Sequence, residues 1–155
     1  MTSRLATALV LAVVAAAPAW AAPPAPATIE HIGAQLLYSG AGTLSRDIAP
    51  PATFSGWNTV IGEGDAKGSA TDVLVSVVLT TAGDELNVDT PLVVSARTAA
   101  GKVLGQRQFS NILIDRGKVV EFLLLPNVTC AGKVTITATL GRQTRSAALA
   151  LDCGE

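Results

Sequence analysis

The sequence predicts an all-β protein, a single antiparallel β-sandwich of about eight strands whose C-terminal hairpin is stapled by a disulfide. Three observations lead there. Short runs rich in Val, Ile, Leu and Thr are punctuated by Gly, Asp, Asn and Pro, and no stretch shows helical apolar spacing over three turns. The run from Asp72 to Thr80 places Val73, Val75, Val77 and Leu79 on one face, because successive side chains of a strand alternate sides. The two cysteines, Cys130 and Cys153, come opposite each other when the last two runs are folded into a hairpin.

The chain begins with a short segment ending at Arg4, an apolar stretch from Leu5 to Ala17, then Pro18 and the small-x-small site Ala19-Trp20-Ala21. That order is the mark of a cleavable secretory signal, so residues 1–21 are expected to be removed and the product to be periplasmic or secreted. The apolar run is well short of the ~20 residues a spanning helix needs, and no integral membrane segment is expected after cleavage. Residues 22–31 open with Ala-Pro-Pro-Ala-Pro-Ala-Thr and read as a flexible Pro-rich leader. The sandwich domain is then residues 32–155.

Within that domain the expected strands are 35–38, 57–61, 72–80, 92–97, 102–109, 118–125, 133–140 and 144–151. The first is short, and the second starts on Trp57. The third is the most regular and is expected at the centre of a sheet. Pro91 cannot donate to a ladder and marks the start of the fourth, while Pro50-Pro51 marks a connection. Thr98-Ala99-Ala100-Gly101 reads as the turn joining the fourth to the fifth. The stretch from Ala82 to Thr90, with Asp84 and Glu85, reads as a solvent-facing polar loop.

The last hairpin permits a stricter test. With Gly141-Arg142 as a two-residue turn, Gly supplying the positive φ of type II′, the register fixes every pair. Val134 then faces Leu149, Ile136 faces Ala147, Gly132 faces Leu151, and Cys130 falls opposite Cys153. Ideal ladder geometry puts such a pair about 5.5 Å apart at Cα, within the range a disulfide accepts. Lys133, Thr135, Thr137 and Thr139 take the wetter face. A structural disulfide suits an oxidising compartment. Metal binding by the same cysteines would need further ligands, and the chain has one His and no other Cys.

Charge excludes some partners. Lys and Arg number 11 against 12 Asp and Glu, for a net charge of −1, without blocks of one sign. Nothing here attracts a nucleic-acid backbone or an anionic membrane. The aromatic residues after the signal are Tyr38, Phe54, Trp57, Phe109 and Phe122, so core volume must come from aliphatic side chains.

Chemistry has few places to reside. Residues 56–68 carry Gly56, Gly62, Gly64 and Gly68 among charged and small residues, directly after a Trp-containing run. Such a loop can bring backbone close to a ligand, and Glu63, Asp65 and nearby Asp72 can offer oxygens to a hard cation. The spacing lacks the regular Asp, Asn and terminal Glu of a calcium loop, and no Gly-Lys-Ser/Thr follows for phosphate, so a solvated turn beneath a packed Trp is the simpler reading. His31, the only imidazole, sits beside Glu30 near the leader, and no Gly-x-Ser-x-Gly elbow is present. After the signal there is no Met, which speaks against copper carriage. Tyr38 and Trp57 can form an aromatic platform for sugar or peptide, or serve as core rings. Asn127-Val128-Thr129 matches the N-glycosylation pattern, which matters only in a host that glycosylates secreted proteins.

The strand pattern over about residues 35 to 152 resembles the immunoglobulin-like class in the broad sense. It differs in its disulfide, which clamps neighbouring strands near the C-terminus where the antibody-type bridge joins two sheets across a buried Trp. The resemblance concerns fold and assigns no activity. The function expected from the residues is an exported, noncatalytic binding or interaction module with no cofactor. Trp57, Glu63, Asp65 and Asp72 are its candidate contact residues, and an envelope protein or a glycan is its candidate partner. The alternative is a structural subunit of a surface or envelope assembly. A hydrolase with a carboxylate site in the 62–72 loop comes third.

Overall fold

The run that reads most clearly as a strand is also the structural centre. In the computed structural model, which describes residues 27–49 and 53–153, Ala70–Thr80 forms β4. Its Val73, Val75, Val77 and Leu79 are at most 1% exposed. Before it lie β1 (Thr28–Tyr38), β2 (Thr43–Leu44) and β3 (Gly56–Trp57). After it come β5 (Glu85–Val88), β6 (Leu92–Thr98), β7 (Val103–Phe109), β8 (Ile112–Asp115), β9 (Lys118–Leu125), β10 (Gly132–Leu140) and β11 (Gln143–Asp152). Two sheets result, a six-stranded one in the order β2-β1-β4-β9-β8-β5 and a five-stranded one in the order β3-β11-β10-β6-β7. Among the described residues there is no α-helix, and no helix is long and apolar enough to cross a membrane.

The sheets meet through alternate residues of each strand. Ile32, Ala34 and Leu36 of β1 and Leu123 and Leu125 of β9 join the β4 row, and on the other sheet Leu92, Val94 and Ala96 of β6 lie beside Leu140, Ala138 and Ile136 of β10 on the inward face. The opposite face of the five-stranded sheet carries Ser95, Thr135, Thr137 and Ser146, with Thr137 and Ser146 hydroxyls 3.2 Å apart on paired strands. Burial of small and branched aliphatic side chains fills this core, as the scarcity of aromatics requires.

The C-terminal hairpin has the register that its apolar pattern requires. Val134 pairs with Leu149, Ile136 with Ala147 and Gly132 with Leu151, and Gly141 takes φ +57° at the first turn position. Cys130 and Cys153 are bonded, with Cα atoms 5.0 Å apart. The bridge lies just beyond the final ladder pair, because β10 starts only at Gly132. At the other hairpin, Gly101 N–H donates to the Thr98 carbonyl at 2.9 Å and closes the turn between β6 and β7.

Four expectations need correction. Residues 28–31, assigned to a flexible leader, belong to β1, where Thr28 pairs with Thr80 and Ile29 with Leu79. A bulge between Ile29 and His31 puts Ile29 and Ile32 on the same buried face, which breaks the two-residue period that marks a strand. The expected strand 57–61 is only two residues long, after which Thr59–Ile61 wind into a 3-10 turn. Trp57 is no packed core ring, being 49% exposed. The polar stretch 82–90 contains β5, whose Glu85–Val88 pairs with β8, a second strand missing from the expected set. The signal peptide 1–21, the start of the leader and Pro50-Pro51 lie outside the described residues.

Candidate functional site

Local chemistry makes the glycine-rich loop a built structure. β3 adds to the five-stranded sheet in parallel with the end of β11, Trp57 standing opposite Asp152. Immediately afterwards Asn58 adopts φ +45°, a conformation Asn tolerates better than most side chains, and its N–H donates to the Asp152 carbonyl at 2.6 Å. The 3-10 turn closes through Gly62 N–H to the Thr59 carbonyl at 3.1 Å. Thr59 itself is fully buried, and its hydroxyl has no partner among the described residues.

The two loop carboxylates hold the loop together. Glu63 Oε2 accepts from the Asn58 side-chain amide at 2.7 Å. Asp65 Oδ2 accepts from Ser55 N–H at 2.8 Å, while Asp65 N–H donates back to the Ser55 carbonyl at 3.0 Å. Arg46 lies 3.6 Å from the same Asp65 oxygen and stacks over the Phe54 ring, 5.7 Å from its centroid. Asp72 belongs to another part of the molecule. Its Oδ1 accepts from Asn127 N–H and from the Thr71 hydroxyl, each at 3.0 Å, and so ties the start of β4 to the connection between β9 and β10. Glu63, Asp65 and Asp72 therefore do not form a ligand set, and among the described residues no group of three or more His, Cys, Asp or Glu side chains is placed to hold a metal.

The exposed side chains of the loop include the charged Glu63, Asp65 and Lys67 as well as two large apolar ones. Trp57 and Ile61, 49% and 64% exposed, project from it. The segment 67–69 helps to line a cleft of about 390 Å³, together with Tyr38, Gly40, Ala41, Thr43 and Leu44. Sequence reasoning picked Trp57 but missed this cleft, because Tyr38 and Lys67 are 29 positions apart and are joined only by folding, through Lys67 N–H donating to Tyr38 Oη at 3.1 Å.

A second polar cluster lies on the outer face of the six-stranded sheet. His31 Nε2 is 2.9 Å from Asp47 Oδ2, and Asp47 Oδ1 accepts from Ala34 and Ala49 N–H, both at 2.9 Å. Burial pushes the Asp47 carboxyl upward, but the two backbone donors and the imidazole outweigh it and hold the group below its ordinary value. Glu121 shifts the other way, raised by burial despite the nearby Arg107.

No family model and no curated protein matches the chain. Among solved structures it is similar to one described as the crystal structure of the C-terminal domain of wzt, with 17% identity and a TM-score of 0.42, covering 83% of this chain and 74% of that one.

Proposed function

We propose that the protein is an exported, noncatalytic recognition module that binds an envelope protein through the end of the sandwich where Trp57 and Ile61 project. The observation that carries this reading is a half-exposed Trp on a loop fastened by its own carboxylates. A rigid aromatic anchor loses little conformational freedom on binding, and such residues dominate interface energetics. The exposed aliphatic Ile61, four positions further along the same loop, favours an apolar protein pocket over a glycan. Export rests on the signal-like first 21 residues and is supported by the disulfide, which suits an oxidising compartment.

The test is covalent capture from envelope extracts with the mature chain and with Trp57→Ala. The expected result is a saturable protein partner for the parent, weakened at least tenfold, about 1.4 kcal/mol or more, by the substitution. Unfolding free energies should differ by no more than about 1 kcal/mol, since a half-exposed side chain is being truncated. Capture of a glycan alone, or unchanged affinity of the variant, refutes the reading.

The second reading, a subunit of a surface assembly, has one observation in its favour. β7 is a seven-residue strand at the edge of its sheet. Gln106, Arg107 and Gln108 along it are the polar kind of residues that discourage edge-to-edge pairing, which ranks assembly below recognition. Sedimentation over a hundredfold concentration range separates them, since an assembly subunit must associate.

A further inference from the structure

We propose that the cleft between the β1–β2 turn and segment 67–69 is a binding site for a small anionic amphiphile, an apolar body carrying one negative group. It is distinct from the Trp57 surface, since neither Trp57 nor Ile61 lines it. A lobe of about 120 Å³ adjoins the main 390 Å³ cleft and shares Tyr38, Leu44 and Lys67 with it. The main volume falls within the range of small-molecule sites.

The lining sets the ligand chemistry. Leu44 is 41% exposed and presents an apolar wall. Gly40 and Gly68 leave the space open, since a Cβ at Gly40 would meet nothing within 4 Å and one at Gly68 would only touch the Tyr38 ring at 3.9 Å. The buried Tyr38 hydroxyl accepts from Lys67 N–H, so its own proton remains to be donated. Two cations border the joined cavity. Arg46 is matched by Asp65 and also donates to the Thr53 carbonyl. Lys67 forms no ion pair among the described residues. The cavity therefore combines apolar walls with one uncompensated positive charge and a phenolic donor, and the complement of that set is an anion on an apolar frame.

The probe is 8-anilinonaphthalene-1-sulfonate, followed by fluorescence on the native mature chain, with uncharged N-phenyl-1-naphthylamine as its comparison. One sulfonate probe per chain is expected, bound about fivefold or more tightly than the neutral probe, as a single charge-assisted contact implies. Lys67→Gln should remove that preference while leaving neutral-probe affinity unchanged, and Ala41→Trp, on the exposed turn, should block both probes. The inference is overturned if the two probes bind equally, or if Lys67→Gln leaves the sulfonate affinity intact. It is equally overturned if Phe122→Ser or Trp57→Ala, but not Ala41→Trp, removes binding, because the probe then occupies an exposed apolar surface elsewhere.

Discussion

Thr59 is the residue whose chemistry is least satisfied by the fold. It sits in the 3-10 turn of the exposed loop, fully buried, with a hydroxyl that finds no partner among the described residues. A hydroxyl removed from water without a hydrogen bond costs about 1 to 3 kcal/mol, and Val has nearly the same shape without that group. Thr59→Val is therefore expected to raise unfolding stability by up to about 1 kcal/mol, allowing for imperfect repacking of the new methyl. Urea denaturation followed by far-UV circular dichroism measures it, and a loss of stability would mean that the hydroxyl has a partner. The contrast with Trp57 is instructive at this scale. The ring large enough to anchor a core is half exposed, while a small polar residue two positions later is sealed away. Composition alone does not order them this way. What separates them is the turn at Asn58, whose φ of +45° ends the pairing of Trp57 with Asp152 and starts the 3-10 turn that holds Thr59.

At the scale of elements, the glycine-rich loop is cross-braced by hydrogen bonds and close backbone contacts that its glycine content conceals. Gly64 has φ +66°, and a Cβ there would press on the Ser55 and Trp57 carbonyl oxygens. The residue is thus fixed twice, by conformation and by close backbone approach. Gly64→Ala should cost more than the usual 1 kcal/mol of a positive-φ substitution, about 2 kcal/mol, and should loosen the loop before the sheets. Hydrogen exchange at Ser55 and Asp65 N–H, which bond across this loop, reads the local effect; unchanged protection there would count against it. The regular strands were legible from sequence because their apolar residues alternate, as in β4, β6 and β10. β1 was legible only in its second half, since the bulge before His31 shifts the period by one residue. β5 and β8 were hidden for another reason. Each has four residues and pairs with the other, and their buried side chains, Val88, Ile112 and Ile114, are too few to reveal a pattern. The candidate site was half legible. The exposed Trp and the loop can be read locally, but the cleft depends on Tyr38, Leu44 and Lys67 meeting, which only the pairing of β1 with β2 and β4 brings about.

For the whole molecule, the decisive question is what closes the sandwich at its C-terminal end. β11 holds β10 along nine paired positions, but among the described residues its other edge pairs with just the two residues of β3. Those two residues lead into the Trp57 loop, so fraying of β11 would release β3 and loosen the proposed contact surface with it. The Cys130–Cys153 bridge stands at this end, just beyond the pair Gly132 and Leu151. Its sequence separation is 23, and a closed loop of that size removes enough freedom from the unfolded chain to stabilise the fold by about 3 kcal/mol. A domain with an aliphatic core and a total stability on the order of 5 to 15 kcal/mol depends heavily on such a contribution. The double substitution Cys130→Ser and Cys153→Ser is expected to lower unfolding free energy by about 3 kcal/mol, with the denaturant slope rising because the unlinked chain exposes more surface when unfolded. Loop and bridge are also coupled. In the double variant, exchange at Asn58 N–H, which bonds the carbonyl of Asp152 beside Cys153, should accelerate more than exchange in β4. If stability falls but Asn58 and β4 lose protection equally, the bridge acts only through the unfolded state, and the Trp57 loop owes its rigidity to its own hydrogen bonds.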